Sequence, residues 1–302
     1  MRKILTIIGG LMFTLACWGQ GELSVSVGGG LNTIFTDPKL DRALSGIGQG
    51  DADARLSPGF LVSSRFLYFF GNGHLGLGSG ADFVHYSSSL KLDGELVTPS
   101  YDDINGQAFD LIQSYVGWQE KQRLFTLEFP LGFYYKAIFS DKTNLVLGLG
   151  GKLVVPAFSR YQITDGVYEV SGYYPQTDVT IKDLPHHGFS GSAPVANGGL
   201  NTHVAFSVYG EVGMNFAMSD HLLFHVGLYA NYGITNIIAD KKHEPSLWDD
   251  FMVDNESAFS LKVTEKAKLF SAGLKLGITI PTNAEGNTEG TSREEKIAKS
   301  IE

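Results

Sequence analysis

Six charged residues, Arg65, Asp82, Glu128, Lys152, Glu211 and Lys275, fall in mid-segment on the faces that also carry Gly and Ser, while the opposing faces are almost continuously apolar. Three are acids and three are bases. Groups of this kind, held together out of water, could gate a passage or relay protons. They could also simply neutralise one another, and energetics demands at least that much, because an unpaired carboxylate in a narrow interior is costly whatever the protein does. Glu128 and Glu211 are therefore expected to pair with interior bases such as Arg65, Lys152 or Lys275.

Other residues invite sharper chemistry. His186, His187, Ser190 and Ser192 together suggest a lipid hydrolase using Ser and His. No Gly-x-Ser-x-Gly elbow accompanies them, and they lie in a loop. His186-His187 with His203, or His243 with Glu244, could bind a metal, yet neither spacing matches a closed site. Asp37, Asp41, Asp51 and Asp53 could hold calcium, but the glycine and ligand spacing of a calcium loop is missing, so a solvated acidic loop is the plainer reading. Tyr161, Tyr168, Tyr173 and Tyr174, set among Gly and Ser, have the mixture common at recognition surfaces, and packing of the loop on itself explains them equally well. No cofactor and no metal is expected.

The elements that carry the six charges read as strands. From Leu222 to Ile234 the odd and even positions separate into a greasy face and a small or polar one. The same period fits Glu22 to Ile34, Arg55 to Phe70, His74 to Tyr86, Gln122 to Ala137, Thr143 to Val155, His203 to Phe216 and Lys268 to Ile280, making eight strands. Their connections alternate in length. Gly71-Asn72-Gly73, Ser140-Asp141-Lys142 and Ser219-Asp220-His221 suit tight reversals, whereas residues 35–54, 87–121, 156–201 and 235–266 are long connections. Short turns on one side and long loops on the other, with an even strand count, are the asymmetry of outer-membrane barrels.

Which face points inward follows from volume. Eight strands of inward Leu and Phe would overfill a bore only wide enough for interdigitated side chains. With those residues outside, glycines leave room for long charged side chains within. Phe66, Tyr68, Phe69 and Phe70 on one strand and Phe133, Tyr134 and Tyr135 on another end at the same level, as an aromatic girdle would. Open aqueous channels belong to barrels of roughly sixteen strands or more, so transport of ions or small solutes ranks behind a structural function, and hydrolysis behind both.

The flanks and composition fit export. Arg2 and Lys3 precede an apolar run from Ile4 to Leu15, and Cys17 and Gly19 stand at the minus-three and minus-one positions of a cleavage before Gln20. Residues 1–19 are thus expected to be a signal peptide, with lipidation at Cys17 as the rival. Residues 20–281 form the barrel and 282–302 a polar tail, where Ser292 and Glu295 could cap a short helix. After residue 20 no apolar run reaches the roughly 18 residues of a transmembrane helix. A net charge of −9 with no basic run argues against nucleic acid.

The stretch Leu127-Glu128-Phe129-Pro130-Leu131-Gly132-Phe133-Tyr134-Tyr135-Lys136, with the Ser140-Asp141-Lys142 turn and Gly148 to Gly151, resembles the central hairpin of small barrels of the outer membrane protein A type, especially their Bacteroidetes relatives. Gly172-Tyr173-Tyr174-Pro175 and Leu184-Pro185-His186-His187-Gly188-Phe189 look similar too. The resemblance implies an all-β, eight-stranded antiparallel up-and-down transmembrane barrel with four long extracellular loops, integral to the outer membrane of a Gram-negative cell. It also implies that Ser271, Gly273, Leu276 and Ile278 in the last strand are read by the barrel-insertion machinery. Outer-membrane lipid and lipopolysaccharide are the expected surroundings, with an extracellular ligand met, if at all, through residues 156–201 and 235–266. Members of the group often continue into a peptidoglycan-binding domain, which the 21 residues after Pro281 are too few to form.

Overall fold

The computed structural model of the chain describes residues 20–36, 51–71, 73–103, 106–140, 142–184, 187, 189, 191–192, 197–219, 221–239, 257 and 266–282. The expectations for residues 1–19, for Ser292 and Glu295, and for most of 235–266 lie outside them. Eight antiparallel strands close on themselves: β1 (Gln20–Thr36), β3 (Pro58–Phe70), β4 (Leu75–Asp102), β5 (Ala108–Ser140), β6 (Thr143–Tyr174), β10 (Ala205–Ser219), β11 (Leu222–Gly233) and β12 (Ala267–Pro281), which returns to β1. Closure leaves none of the eight with an unpaired backbone edge along the ring. Four shorter strands hang from it: β2 (Asp51–Leu56) on β4, and β7 (Val179–Ile181), β8 (Gly191–Ser192) and β9 (Asn197–Gly199) on β6.

Alternation sets the two faces. Along β5 every second residue from Trp118 to Lys136 is buried, and Leu127, Phe129, Leu131, Phe133 and Tyr135 between them are exposed. Leu131 is 67% exposed, Phe133 75% and Leu149 of β6 70%, so the apolar face of these strands lies on the outside of the ring. The tight connections after β3, β5 and β10 gather at the same end as the start of β1 and the end of β12. There Gly73 N donates to Phe70 O at 2.9 Å, and Gly71 and Gly73 take positive φ.

At the other end the strands outrun the reading of the sequence. Residues 87–102, 108–121 and 156–174, expected as loop, continue β4, β5 and β6 well past their neighbours. The alternation is hidden because it changes phase. Gly94, Gly117 and Gly166, all at positive φ, sit at one level of the three adjacent strands, where the register shifts. In β5 the inward set passes from Trp118, Glu120, Gln122 and Leu124 to Phe109, Leu111, Gln113 and Tyr115 across that bulge. The extension has a core of its own, with Phe109 stacked on Tyr174 at 5.5 Å and edge-on to Phe189 at 5.3 Å.

The aromatic girdle is corrected in part. Phe70, Phe133 and Tyr135 face outward, but Phe69 and Tyr134 are buried in the bore, because neighbours along a strand point to opposite faces.

The β1–β12 seam depends on close backbone approach. Gly30 stands opposite Gly273, and a methyl group added at Gly273 would fall on the Gly29 carbonyl oxygen. Gly210 of β10 has only ordinary contacts around its missing side chain. We expect Gly273→Ala to destabilise the ring by about 1–3 kcal/mol, and Gly210→Ala to leave it nearly unchanged, in urea titrations of the micelle-bound protein followed by circular dichroism. Equal midpoints for the two variants would contradict the seam.

Candidate functional site

The six charges of the small-residue faces meet in one layer across the bore. Lys152 Nζ lies 2.8 Å from Asp82 Oδ2 and 3.0 Å from Glu128 Oε2. Arg65 grips Asp82 with both terminal nitrogens, Nη2 donating to Oδ2 at 2.9 Å. On the far side Lys275 Nζ is 2.6 Å from Glu211 Oε2, and Arg65 Nε is 3.9 Å from Glu211 Oε1. Five of the six are at most 4% exposed, so the layer is held out of water and pairing is obligatory.

The register explains why Lys152 is central. Asp82 and Glu128 are directly opposite on β4 and β5, an arrangement of like charges that destabilises a sheet unless a counter-charge enters. Lys152, arriving from β6, is that charge. Tyrosines complete the carboxylate shells: Tyr86 Oη donates to Glu128 Oε1 at 2.7 Å and Tyr134 Oη to Glu211 Oε1 at 2.9 Å. Tyr134 fits because β4 and β6 offer glycine beside it; a side chain at Gly78 or Gly148 would strike its ring. Tyr229 Oη donates to Asn32 Oδ1 at 3.0 Å, which brings β11 and β1 into the layer, so every strand of the ring contributes.

Three further carboxylate or ammonium groups belong to the bore. Toward the tight turns Lys136 Nζ is 2.5 Å from Glu22 Oε1 and 4.3 Å from the centre of the Phe69 ring. Their strand parity, shared with Glu128 and with the polar face of β1, is the signal that could have found them. Glu120 lies on the other side of the layer, fully buried, accepting from Gln122 Nε2 at 2.9 Å and from Ser257 Oγ. It is invisible in sequence because its segment falls in a stretch expected as loop. Between Glu22 and Lys275 the bore keeps a cavity of about 30 Å³, room for about one or two waters. Above the layer Leu61, Val84, Leu124, Val154 and Leu269 make it apolar.

The remaining candidates are less assembled. Ser271 points inward and accepts from Asn231 Nδ2 at 2.5 Å, while Leu276 and Ile278 face outward on the last ring strand, with Gly273 at the seam. Tyr168 and Tyr174 are buried in the extension rather than offered to a partner. His186, Ser190, His243, Glu244, Asp37 and Asp41 lie outside the described residues. Among the described residues no group of three or more His, Cys, Asp or Glu comes together that could hold a metal ion, and no helix is long and apolar enough to cross a membrane.

The layer predicts its own failure mode. Lys152→Met would leave Glu128 without its cation and Asp82 opposite it, a loss of about 3–5 kcal/mol. Adding Glu128→Gln should recover a large part, since the stranded charge is then gone. A double-mutant cycle by urea unfolding checks this; strictly additive losses would contradict the bridge. In the extension, beyond the apolar band, burial pushes Tyr115 up and Tyr168 up to about 12, although Gln113 Nε2 donates to Tyr168 Oη at 2.7 Å. A raised phenol stabilises the fold fully below the unfolded value of about 10, and that contribution is lost as pH rises toward the folded one. Phenolate absorbance should therefore lag behind free tyrosine until the extension opens between those limits.

No family model and no curated protein matches the chain. Among solved structures it is similar to Neisserial surface protein A, at 9% identity and a TM-score of 0.35 over 86% of this chain and 96% of that one. It is similar to the outer membrane protein OprG from Pseudomonas aeruginosa, at 13% identity and a TM-score of 0.37 over 87% and 95%. It is also similar to a major outer membrane protein from Thermus thermophilus, at 11% identity and a TM-score of 0.36 over 86% and 98%.

Proposed function

We propose that the protein is a structural, non-enzymatic β-barrel integral to the outer membrane, of the small type its central hairpin resembles, with the tight turns inside and the long connections outside. The observation that carries this reading is the inversion of polarity: ion pairs fill the bore and Leu, Val, Ile and Phe coat the exterior. On β5 the apolar outer face runs from Phe125 to Tyr135, which matches the roughly 9 to 11 residues a tilted strand needs to cross a bilayer. In water so large an apolar belt would drive aggregation.

From the tight turns outward, a cavity of about 30 Å³, the ionic layer and an apolar stretch follow one another along the bore, which favours a sealed barrel over a pore. Ligand contact is then left to the outer segments, residues 156–201, of which 156–174 belong to β6, and 235–266. Ser271, Gly273, Leu276 and Ile278 serve as the mark for insertion.

Two measurements test the reading. The chain from Gln20 onward, refolded with phosphatidylcholine vesicles, should cosediment with them and resist protease across the strands. In planar bilayers it should give no stable unitary conductance. A folded monomer in detergent-free buffer would overturn the membrane assignment, and a steady open channel the sealed one.

A further inference from the structure

On the outer wall, a pair of opposed bases breaks the rule that the bore obeys. On the outer face of β4, β5 and β6 the apolar band ends abruptly. Phe125 stands opposite Phe158, with Phe83 stacked on Phe125 at 5.6 Å, and two residues further along Arg123 stands directly opposite Arg160. Lys121 is the next outward residue of β5, and all three basic side chains are exposed. Like charges directly opposed across a pair of strands are destabilising. In the bore the opposed Asp82 and Glu128 are reconciled by Lys152. Among the described residues no carboxylate forms a salt bridge with Arg123, Arg160 or Lys121.

The basic groups also border a groove. Phe83, Phe125 and Phe158 line one part of it, Lys121, Arg123 and Arg160 another, and β9 closes a side through Gly198 and Gly199; its volume is about 930 Å³. Guanidinium pairs are suited to phosphate oxygens, which they bind with charge-assisted hydrogen bonds. A ligand complementary to this groove carries negative phosphate at one end and hydrocarbon at the other. We propose that Arg123, Arg160 and Lys121, above the three phenylalanines, form a site for a phosphorylated lipid of the outer leaflet, a diphosphorylated glycolipid of the lipopolysaccharide type. Its phosphate supplies the missing counter-charge and its acyl chains lie along the phenylalanines. The site rests on the membrane reading above, since only that reading puts acyl chains at this height.

The test uses the chain from Gln20 onward in dodecyl maltoside micelles and in phosphatidylcholine nanodiscs, titrated with diphosphorylated lipid A, with the same lipid stripped of phosphate, and with inorganic phosphate. Lipid A should bind and raise the unfolding temperature. Arg123→Gln/Arg160→Gln should weaken binding by at least about tenfold and abolish the thermal shift, while the lipid-free variant unfolds no earlier than the parent because the repulsion is gone. Arg123→Lys/Arg160→Lys should keep part of the affinity, and Lys142→Gln, at the opposite rim, all of it. Stripped lipid should bind weakly to every form, and inorganic phosphate should neither protect nor compete at equal concentration. Equal binding by parent and Gln variant overturns the site, and protection by inorganic phosphate alone overturns the lipid as its occupant. Incorporation into nanodiscs separates the two levels: a chain that enters the bilayer yet binds lipid A without these arginines sinks this site alone, whereas one that never enters sinks the membrane reading with it.

Discussion

Each ionised side chain of the central layer has to meet a counter-charge across the bore, and that requirement organises the rest. Asp82, Glu128 and Glu211 are buried too deeply to be solvated separately. Their partners are bases on strands that are not all neighbours in the ring, so satisfying the charges fixes the spatial order of the strands as firmly as backbone pairing does. Lys152 reaches two carboxylates from β6, and Arg65 on β3 faces both Asp82 and Glu211. A slip of one residue in any of these strands would turn its charge to the apolar exterior and strand its partners.

Space is the companion constraint. Long bases and tyrosines converge in a bore that eight strands keep narrow, so the inner wall must be small where they meet. Gly78 and Gly148 stand aside for Tyr134, and Gly132 for Tyr209, whose ring lies 5.3 Å from the Lys152 ammonium. The glycine-rich composition is thus the complement of the charged layer. The same alternation that places glycine inward places Leu, Val and Phe outward, so the polar bore and the apolar belt are two consequences of one strand period.

Most of the ring is legible in sequence because every strand segment repeats that period without interruption through the belt. The strand limits at the tight-turn end follow Gly71, Ser140 and Ser219 closely, since turn chemistry there is local. The six mid-strand charges, and the set of bases that meets the acids, are readable from parity; which base meets which acid is not, because pairing across the bore joins residues as distant as Glu211 and Lys275, or Asp82 and Lys152, and depends on strand order. What escapes is the extension. A single bulge at Gly117 exchanges the inward and outward sets, and a period that changes phase within one strand reads as no period at all. Glu120 and the core around Phe109, Tyr115 and Trp118 are lost with it.

That extension changes what the end opposite the tight turns is. Three strands standing beyond the ring would expose both faces and a free edge, an unstable arrangement for a bare sheet. Here the bulges turn one face over its own aromatic core, β7, β8 and β9 pair along β6, and β2 pairs with β4. The cluster is continuous with the apolar stretch of the bore, from Leu61 and Val84 through Leu124 to Tyr168 and Phe189. The apolar stretch of the bore and the core of the extension are therefore one packed body, in which a displacement of the extension is passed to the ring through side-chain contacts.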